Sequence, residues 1–159
     1  MLHSTYGNAI LDGLLAQGNS SISFNNSGCY LGLLTAYNVA SGTFVEPTDS
    51  VYRRVDLTAK SRITNEYFLT EAKTDTDENK IEVDGYEVKP AYITNLSPIQ
   101  FDEAQEDWNI VGFAIFDTET SRTPILYGPV EGEDGESEIL VKQGNVPIIR
   151  KNFLKISLA

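Results

Sequence analysis

Apolar residues along this chain gather in short runs parted by polar turns, and most of the runs have the length of a β-strand rather than a helix. "YLGLLT" at 30–35 is almost wholly apolar, as a central strand requires. "IVGFAIFD" at 110–117 places Val111, Phe113 and Ile115 on one side and Ile110, Gly112, Ala114 and Phe116 on the other. A strand apolar on both sides is covered on both sides, so it too is expected at the centre of a sheet. "AYITNL" (91–96), "PIQF" (98–101), "PILYGPV" (124–130), "EILVK" (138–142) and "NFLKISL" (152–158) continue the series, and "ITNEYFLT" (63–70) is a weaker member. In "VYRRVDLT" (51–58), Val51, Val55 and Leu57 share a face that Arg53 interrupts, which makes Arg53 a candidate buried or edge cation. "AYNVASGTFVEPTDS" (36–50) reads as one long loop. Asp84-Gly85 within "IEVDGYEV" (81–88) is a hairpin signal, since a type I′ turn needs positive φ at both central residues. Strand spacing and turn chemistry together predict a mainly β fold, an antiparallel β-sandwich or jelly-roll-like barrel.

Helical spacing occurs once. Over residues 5–17, Ile10, Leu11, Leu14 and Leu15 share one face, Ser4 or Thr5 can cap the start and Gly18 can end it. Gly7 and Gly13 weaken this short helix, so its leucine stripe is expected to dock on the sheet or on a neighbouring subunit. Residues 18–28 are a polar connector. No repeat or linker composition divides the chain. Its 159 residues are expected to form a single domain: an N-terminal helix and connector over 1–28, and a β domain over 29–159 with loops projecting near 70–90 and 131–137.

Charge narrows the partners. Twelve Lys and Arg against 23 Asp and Glu leave a formal charge of −11, which repels phosphate backbones and anionic membranes, so nucleic acid is not an expected partner. Such charge suits a component kept soluble at high local concentration. No apolar run approaches the length of a membrane span, so membrane insertion is not expected, and the N-terminus does not read as a secretory signal. Cys29 is the one cysteine, which rules out an intrachain disulfide and Cys-rich zinc sites.

Candidate chemistry is sparse. His3 is the sole histidine and sits at the extreme N-terminus, away from any legible nucleophile. Cys29 borders an apolar strand with no basic cluster beside it, the setting of an inert thiol. No glycine-rich phosphate loop occurs. Asp75, Asp77 and Asn79 begin like a calcium loop, but Lys80 stands where the sharp-turn glycine is needed and Tyr86 where the bidentate Glu should be. "EGEDGESE" (131–138) reads as a hairpin tip extended by its own repulsion. Trp108 admits two roles, a platform for stacking a sugar or a buried anchor at the start of its strand, and Tyr52, Tyr67, Tyr86 and Tyr92 are either a contact surface or packing. No catalytic residue, metal ligand or cofactor is expected.

"WNIVGFAIFD" (108–117), followed by a polar turn and "ILYGPV" (125–130), resembles a recurring class of small virion proteins of tailed bacteriophages, described as tail fibre, minor structural or head decoration proteins. "GNAILDGLL" (7–15), "YLGLLT" (30–35), "YRRVDL" (52–57), "ITNLSPIQFDEA" (93–104) and "NFLKISL" (152–158) fall in the same order, so the likeness spans nearly the whole chain. Residues 59–90 and 131–137 depart from it as longer, charged insertions. The resemblance implies a non-enzymatic structural protein, made in the bacterial host cytoplasm and carried in the virion. Its implied partners are phage capsid or tail proteins and further copies of itself, as a homotrimer. Docking would then fall to Ile10, Leu11, Leu14 and Leu15. The alternative is a module that binds host-surface glycans through Trp108 and Tyr86.

Overall fold

The computed structural model of the chain describes residues 28–57, 73–74, 81–83, 86–88, 91–132 and 135–157. These residues form short strands joined by turns, with no helix among them, and every strand pair is antiparallel. The N-terminal helix expected over 5–17 lies outside the described residues. The chain divides into two compact units, one built from Met1–Asp56 with Phe101–Pro147 and the other from Leu57–Gln100 with Ile148–Ala159. Both are discontinuous in sequence, so no linker composition marks the crossings.

The first unit is organised by a four-stranded sheet. β1 (Tyr30–Leu34) is one of its two inner strands, β2 (Ala36–Asn38) and β3 (Thr43–Val45) form a separate hairpin, and β4 (Val55–Asp56) is an edge. β10 (Trp108–Ile110), β11 (Gly112–Phe116), β12 (Leu126–Pro129) and β13 (Ile139–Val141) complete the unit, and the sheet order is β12-β11-β1-β4. The two strands apolar on both sides, β1 and β11, are therefore the inner pair, in register Leu31↔Ile115 and Leu33↔Phe113. Leu31, Leu34, Ala114 and Phe116 are buried; hiding each large side chain of this kind contributes about 1.5–3 kcal/mol.

The run at 108–117 is not one strand. It breaks at Val111: β10 pairs with β13, and β11 pairs with β1 and β12. At the break Val111 donates its N–H to Leu34 O at 2.8 Å and accepts from Val130 N at 3.3 Å, so no backbone group is sacrificed where the chain changes sheets. The expected loop at 36–50 likewise contains structure. Thr35 N–H donates to Val45 O at 2.8 Å and closes the β2–β3 hairpin. That hairpin lays the cross-strand pair Tyr37 and Phe44 over Tyr127, with ring centroids 6.0 and 5.0 Å away. Gly112 permits the approach, because a Cβ there would lie 2.7 Å from Gly128 O and 2.9 Å from Tyr37 Cε1.

In the second unit β5 (Lys73–Thr74), β8 (Ala91–Thr94) and β15 (Lys155–Ser157) form a sheet of order β15-β8-β5. β6 (Ile81–Val83) and β7 (Tyr86–Val88) pair as Val83↔Tyr86, the hairpin expected around Asp84-Gly85. β9 (Ile99–Gln100) pairs with β14 (Ile148–Ile149), a strand the sequence pattern does not suggest.

Candidate functional site

The most elaborate polar cluster in the first unit is built on Glu46, Tyr52 and Arg54, from the segment between β3 and β4. Arg54 Nε donates to Glu46 Oε1 and Oε2 at 3.0 and 3.1 Å, and Nη2 to Oε2 at 2.6 Å. The same guanidinium reaches the turn after β11, donating to Thr118 O at 2.9 Å and Ser121 O at 2.7 Å, and its Cζ sits 3.3 Å from the Phe116 ring centroid. Its side chain is only 9% exposed. Planar, delocalised guanidinium suits this mixture of fork and stacking, which an ammonium cannot reproduce. Tyr52 donates its O–H to Glu46 Oε1 at 2.9 Å and accepts the N–H of Leu33 in β1 at 2.8 Å. Burial and then the Glu46 charge push the Tyr52 phenol well above its usual range, so it stays protonated and keeps donating. Gly32 completes the fit: a Cβ there would come 2.5 Å from Glu46 Oε1. Both carboxylate oxygens are engaged, and the cluster ties β1, the 46–54 segment and the 117–121 turn together. Its work is mechanical.

Arg53, the candidate buried or edge cation, is not buried: it is exposed and donates to Ser50 O and Tyr52 O at 3.0 and 2.6 Å. Its neighbour Arg54 goes inside instead. Strand pairing begins only at Val55, so alternation projected back to Val51 points the wrong arginine inward.

A second cluster surrounds Trp108. The indole is 2% exposed, edge-on to Tyr52 at 5.6 Å, and Tyr52 in turn stacks on Phe101 at 6.5 Å. Such burial leaves no open ring face for a sugar to stack on; the geometry is that of an anchor. Asp49 accepts the N–H of Val51 at 3.1 Å and of Gln105 at 2.6 Å. Desolvation pulls the Asp49 carboxyl upward, but those N–H groups, the Trp108 indole and the Glu106 backbone outweigh it and hold the carboxyl below its usual value of 3.8. Nearby in sequence, Asp107 accepts from Lys142 Nζ at 2.8 Å and Gln143 N at 2.9 Å, and both contacts, the Lys142 bond foremost, lower its pKa.

What the first unit presents outward differs in kind. On β13, Leu140 is 55% exposed and Ile139 is exposed too, with only Val141 buried. Among the described strands β13 pairs with β10 alone. Glu136, Ser137, Glu138, Asn109 and Leu140 line a shallow depression there, and Glu138 Oε2 accepts from Asn109 Nδ2 at 2.9 Å. The acidic tip leading into β13 is tied at its base, where Gly132 N–H donates to Glu136 O at 2.8 Å.

The second unit presents a turn at 150–153. Fully buried Asn95 donates through Nδ2 to Ser97 O and Arg150 O, both at 2.8 Å, and accepts the Leu154 N–H at 3.0 Å. Its backbone O accepts from Asn152 N, and Phe153 N donates to Arg150 O at 3.1 Å. Asn152 takes φ of 68°, a left-handed conformation that Asn tolerates better than most residues. The turn so locked displays Phe153, 67% exposed with the Arg150 guanidinium 6.0 Å from its ring centroid, and Ile148 on the preceding strand β14 is exposed as well.

Ile10, Leu11, Leu14 and Leu15 lie outside the described residues, as do Asp75, Asp77 and Asn79; Tyr86 lies on β7, with its side chain outside them. Cys29 is half-buried, and burial followed by the Asp56 charge pushes its thiol up to about 11. Among the described residues no group of three or more His, Cys, Asp or Glu is placed to hold a metal ion. Sequence reasoning missed Asn95 and Arg54, some of whose partners lie far along the chain, and missed that Ile139 and Leu140 of β13 are exposed. No protein-family model matches the chain, and no curated protein matches it either.

Proposed function

We propose that this chain is a structural component of a tailed bacteriophage virion, which docks on capsid or tail proteins and displays charged loops outward. The observation that carries the reading is the pairing of a tightly cross-braced β framework with large apolar side chains left outside it. The Glu46, Tyr52 and Arg54 cluster spends its polar groups on rigidity, while Ile139, Leu140, Ile148 and Phe153 are held in the open. Exposed apolar side chains on a rigid scaffold are features of surfaces that meet other proteins. The ordered resemblance of residues 7–158 to small virion proteins is what suggests the kind of assembly. Within this reading the antiparallel sheets belong to a sandwich or jelly-roll, and the leucine stripe of Ile10, Leu11, Leu14 and Leu15 forms a helix that anchors to the particle. Many copies on a symmetric particle make a modest interface cumulatively strong.

The test is to raise antibodies against the purified chain, label phage particles purified from its source by immunogold electron microscopy, and quantify the chain in them by mass spectrometry. Gold at one recurring place on the particle, with a fixed copy number, is the expected result. A chain confined to the soluble lysate and missing from washed particles overturns the proposal. In particles that carry it, Leu11→Asp with Leu14→Asp is expected to abolish incorporation.

A further inference from the structure

Residues 46–52 make a closed loop within the first unit. Its ends meet where the Tyr52 hydroxyl donates to Glu46 Oε1 at 2.9 Å; Arg54 grips the same carboxylate, and Leu33 N–H ties Tyr52 to β1. The base of the loop is thus pinned, as in other short loops whose ends lie together. Its middle is held separately, by Asp49. Asp49 Oδ1 accepts the Val51 N–H at 3.1 Å and stiffens the loop from within, while Oδ2 accepts the Gln105 N–H at 2.6 Å and fastens the loop to the turn that leads into β10. The same carboxylate takes part with the Glu106 backbone N–H and the Trp108 indole. A weaker bond runs from Thr48 Oγ1 to Glu106 Oε1 at 3.4 Å. Each hydrogen bond from the loop to the turn therefore ends on a carboxylate, and among the described residues no backbone-to-backbone bond joins 47–51 to 102–108. The far side of the turn is fastened by groups that do not titrate, Ala104 N–H to Asn145 O at 2.9 Å and Gly144 N–H to Ala104 O at 2.8 Å.

We infer that residues 48–51 are an acid-released strap: protonation of Asp49 frees them from the 105–108 turn and uncovers Trp108, while the Glu46, Tyr52 and Arg54 base and the β12-β11-β1-β4 sheet stay in place. A carboxylate binds N–H donors about twice as strongly as a neutral group does, and a protonated one carries a hydrogen that competes with the donors facing it. The remaining Thr48 bond, at 3.4 Å, is too long to hold the loop alone. No cation takes over. On the loop's own segment Glu46 and Arg54 are bound to each other, and Arg53 donates to Ser50 O and Tyr52 O. On the turn, Lys142 is bound to Asp107, and Asp102, Glu103 and Glu106 add negative charge only. The N–H groups around Asp49 hold its carboxyl below 3.8, so the strap stays shut through the neutral range and lets go as pH falls below that value. Opening of this kind depends on how few bonds hold a segment, not on the stability of the whole. The device goes beyond the virion reading and does not depend on it.

Acrylamide quenching of Trp108, the chain's only tryptophan, reads access to the indole, and far-ultraviolet circular dichroism on the same samples of the full chain reads the sheets. Between about pH 5 and about pH 3 the quenching constant is expected to rise about twofold or more, with the dichroism unchanged and full recovery on return to neutral pH. Asp49→Asn cannot titrate and is expected to give one constant across the range. Asp49→Ala lacks the fastening altogether and is expected to quench at about pH 7 as the wild type does at about pH 3. Asp107→Asn, which alters the contact with Lys142 and not the strap, is expected to keep the wild-type step. A wild-type constant that stays flat, or that rises only as the dichroism is lost, overturns the inference. So does a step that persists in Asp49→Asn or disappears in Asp107→Asn, or a folded Asp49→Ala that quenches no more than the wild type at neutral pH. If Asp49→Ala fails to fold, the wild-type step and its loss in Asp49→Asn decide the matter.

Discussion

Replacing Arg54 by Met is expected to cost unit 1 about 3 kcal/mol. The substitution keeps an unbranched side chain over Phe116, but it removes three donor contacts to Glu46 at 2.6 to 3.1 Å and those to Thr118 O and Ser121 O. Breaking a buried pair from one side typically costs about 3–5 kcal/mol, because the remaining charge stays desolvated without its counterion. The lower end applies here, since Glu46 is 21% exposed and water reaches part of its carboxylate. Against a usual total stability of about 5–15 kcal/mol this is a large fraction. Trp108 is the only tryptophan and packs edge-on to Tyr52, so urea unfolding followed by its fluorescence reports on this unit alone. With a urea slope of about 2 kcal/mol/M, the midpoint should fall by about 1.5 M. Adding Glu46→Gln to Arg54→Met removes the stranded charge and should return about 1–2 kcal/mol. A loss below about 1 kcal/mol, the scale of an exposed ion pair, would refute the reasoning, as would a double variant no more stable than the single one.

Asn95→Ala deletes three side-chain hydrogen bonds in a fully buried setting and should destabilise the second unit by about 3 kcal/mol, seen as faster amide exchange in peptides covering 91–100 and 148–157; unchanged exchange there contradicts the clamp. The folded Asp49 and Asp107 carboxyls titrate below their unfolded value of 3.8, so the stability they contribute is present above that pH and is lost as pH falls below it. Asp49→Asn should therefore flatten the acid arm of the Trp108 unfolding curve below about pH 4. With its pKa raised from 9.0 to about 11, Cys29 should carry roughly 100-fold less thiolate at pH 8 than an unperturbed thiol and alkylate correspondingly slowly, and Asp56→Asn should speed the reaction; alkylation at the rate of a free thiol would count against the burial described.

Much of the framework is readable from local pattern. β1 and β11 are apolar on both sides and prove to be the inner strands, and β6 and β7 pair on either side of the Asp84-Gly85 hairpin signal. What escapes the pattern depends on distant partners. Nothing about Val111 distinguishes it from a residue in the middle of a strand, although the chain changes sheets there. Arg53 and Arg54 are identical in type, and only the placement of Glu46 and the 118–121 carbonyls selects between them. Asn95 looks like an ordinary turn asparagine until Arg150 and Leu154 arrive beside it. The exposure of Leu140 is likewise invisible, because "EILVK" reads as strand whether or not anything covers it.

The pairing of β1 with β11 bears on how this chain is born. Leu33 must wait for Phe113 to be synthesised before its strand gains that neighbour, and the edge that β13 gives to β10 comes later still. At ordinary ribosomal speeds the interval is about 4 to 16 s, far longer than a small chain needs to collapse. During it β1 has β4 within reach but lacks its other sheet neighbour, so yield in a foreign host should respond to chaperone supply and to a lower growth temperature.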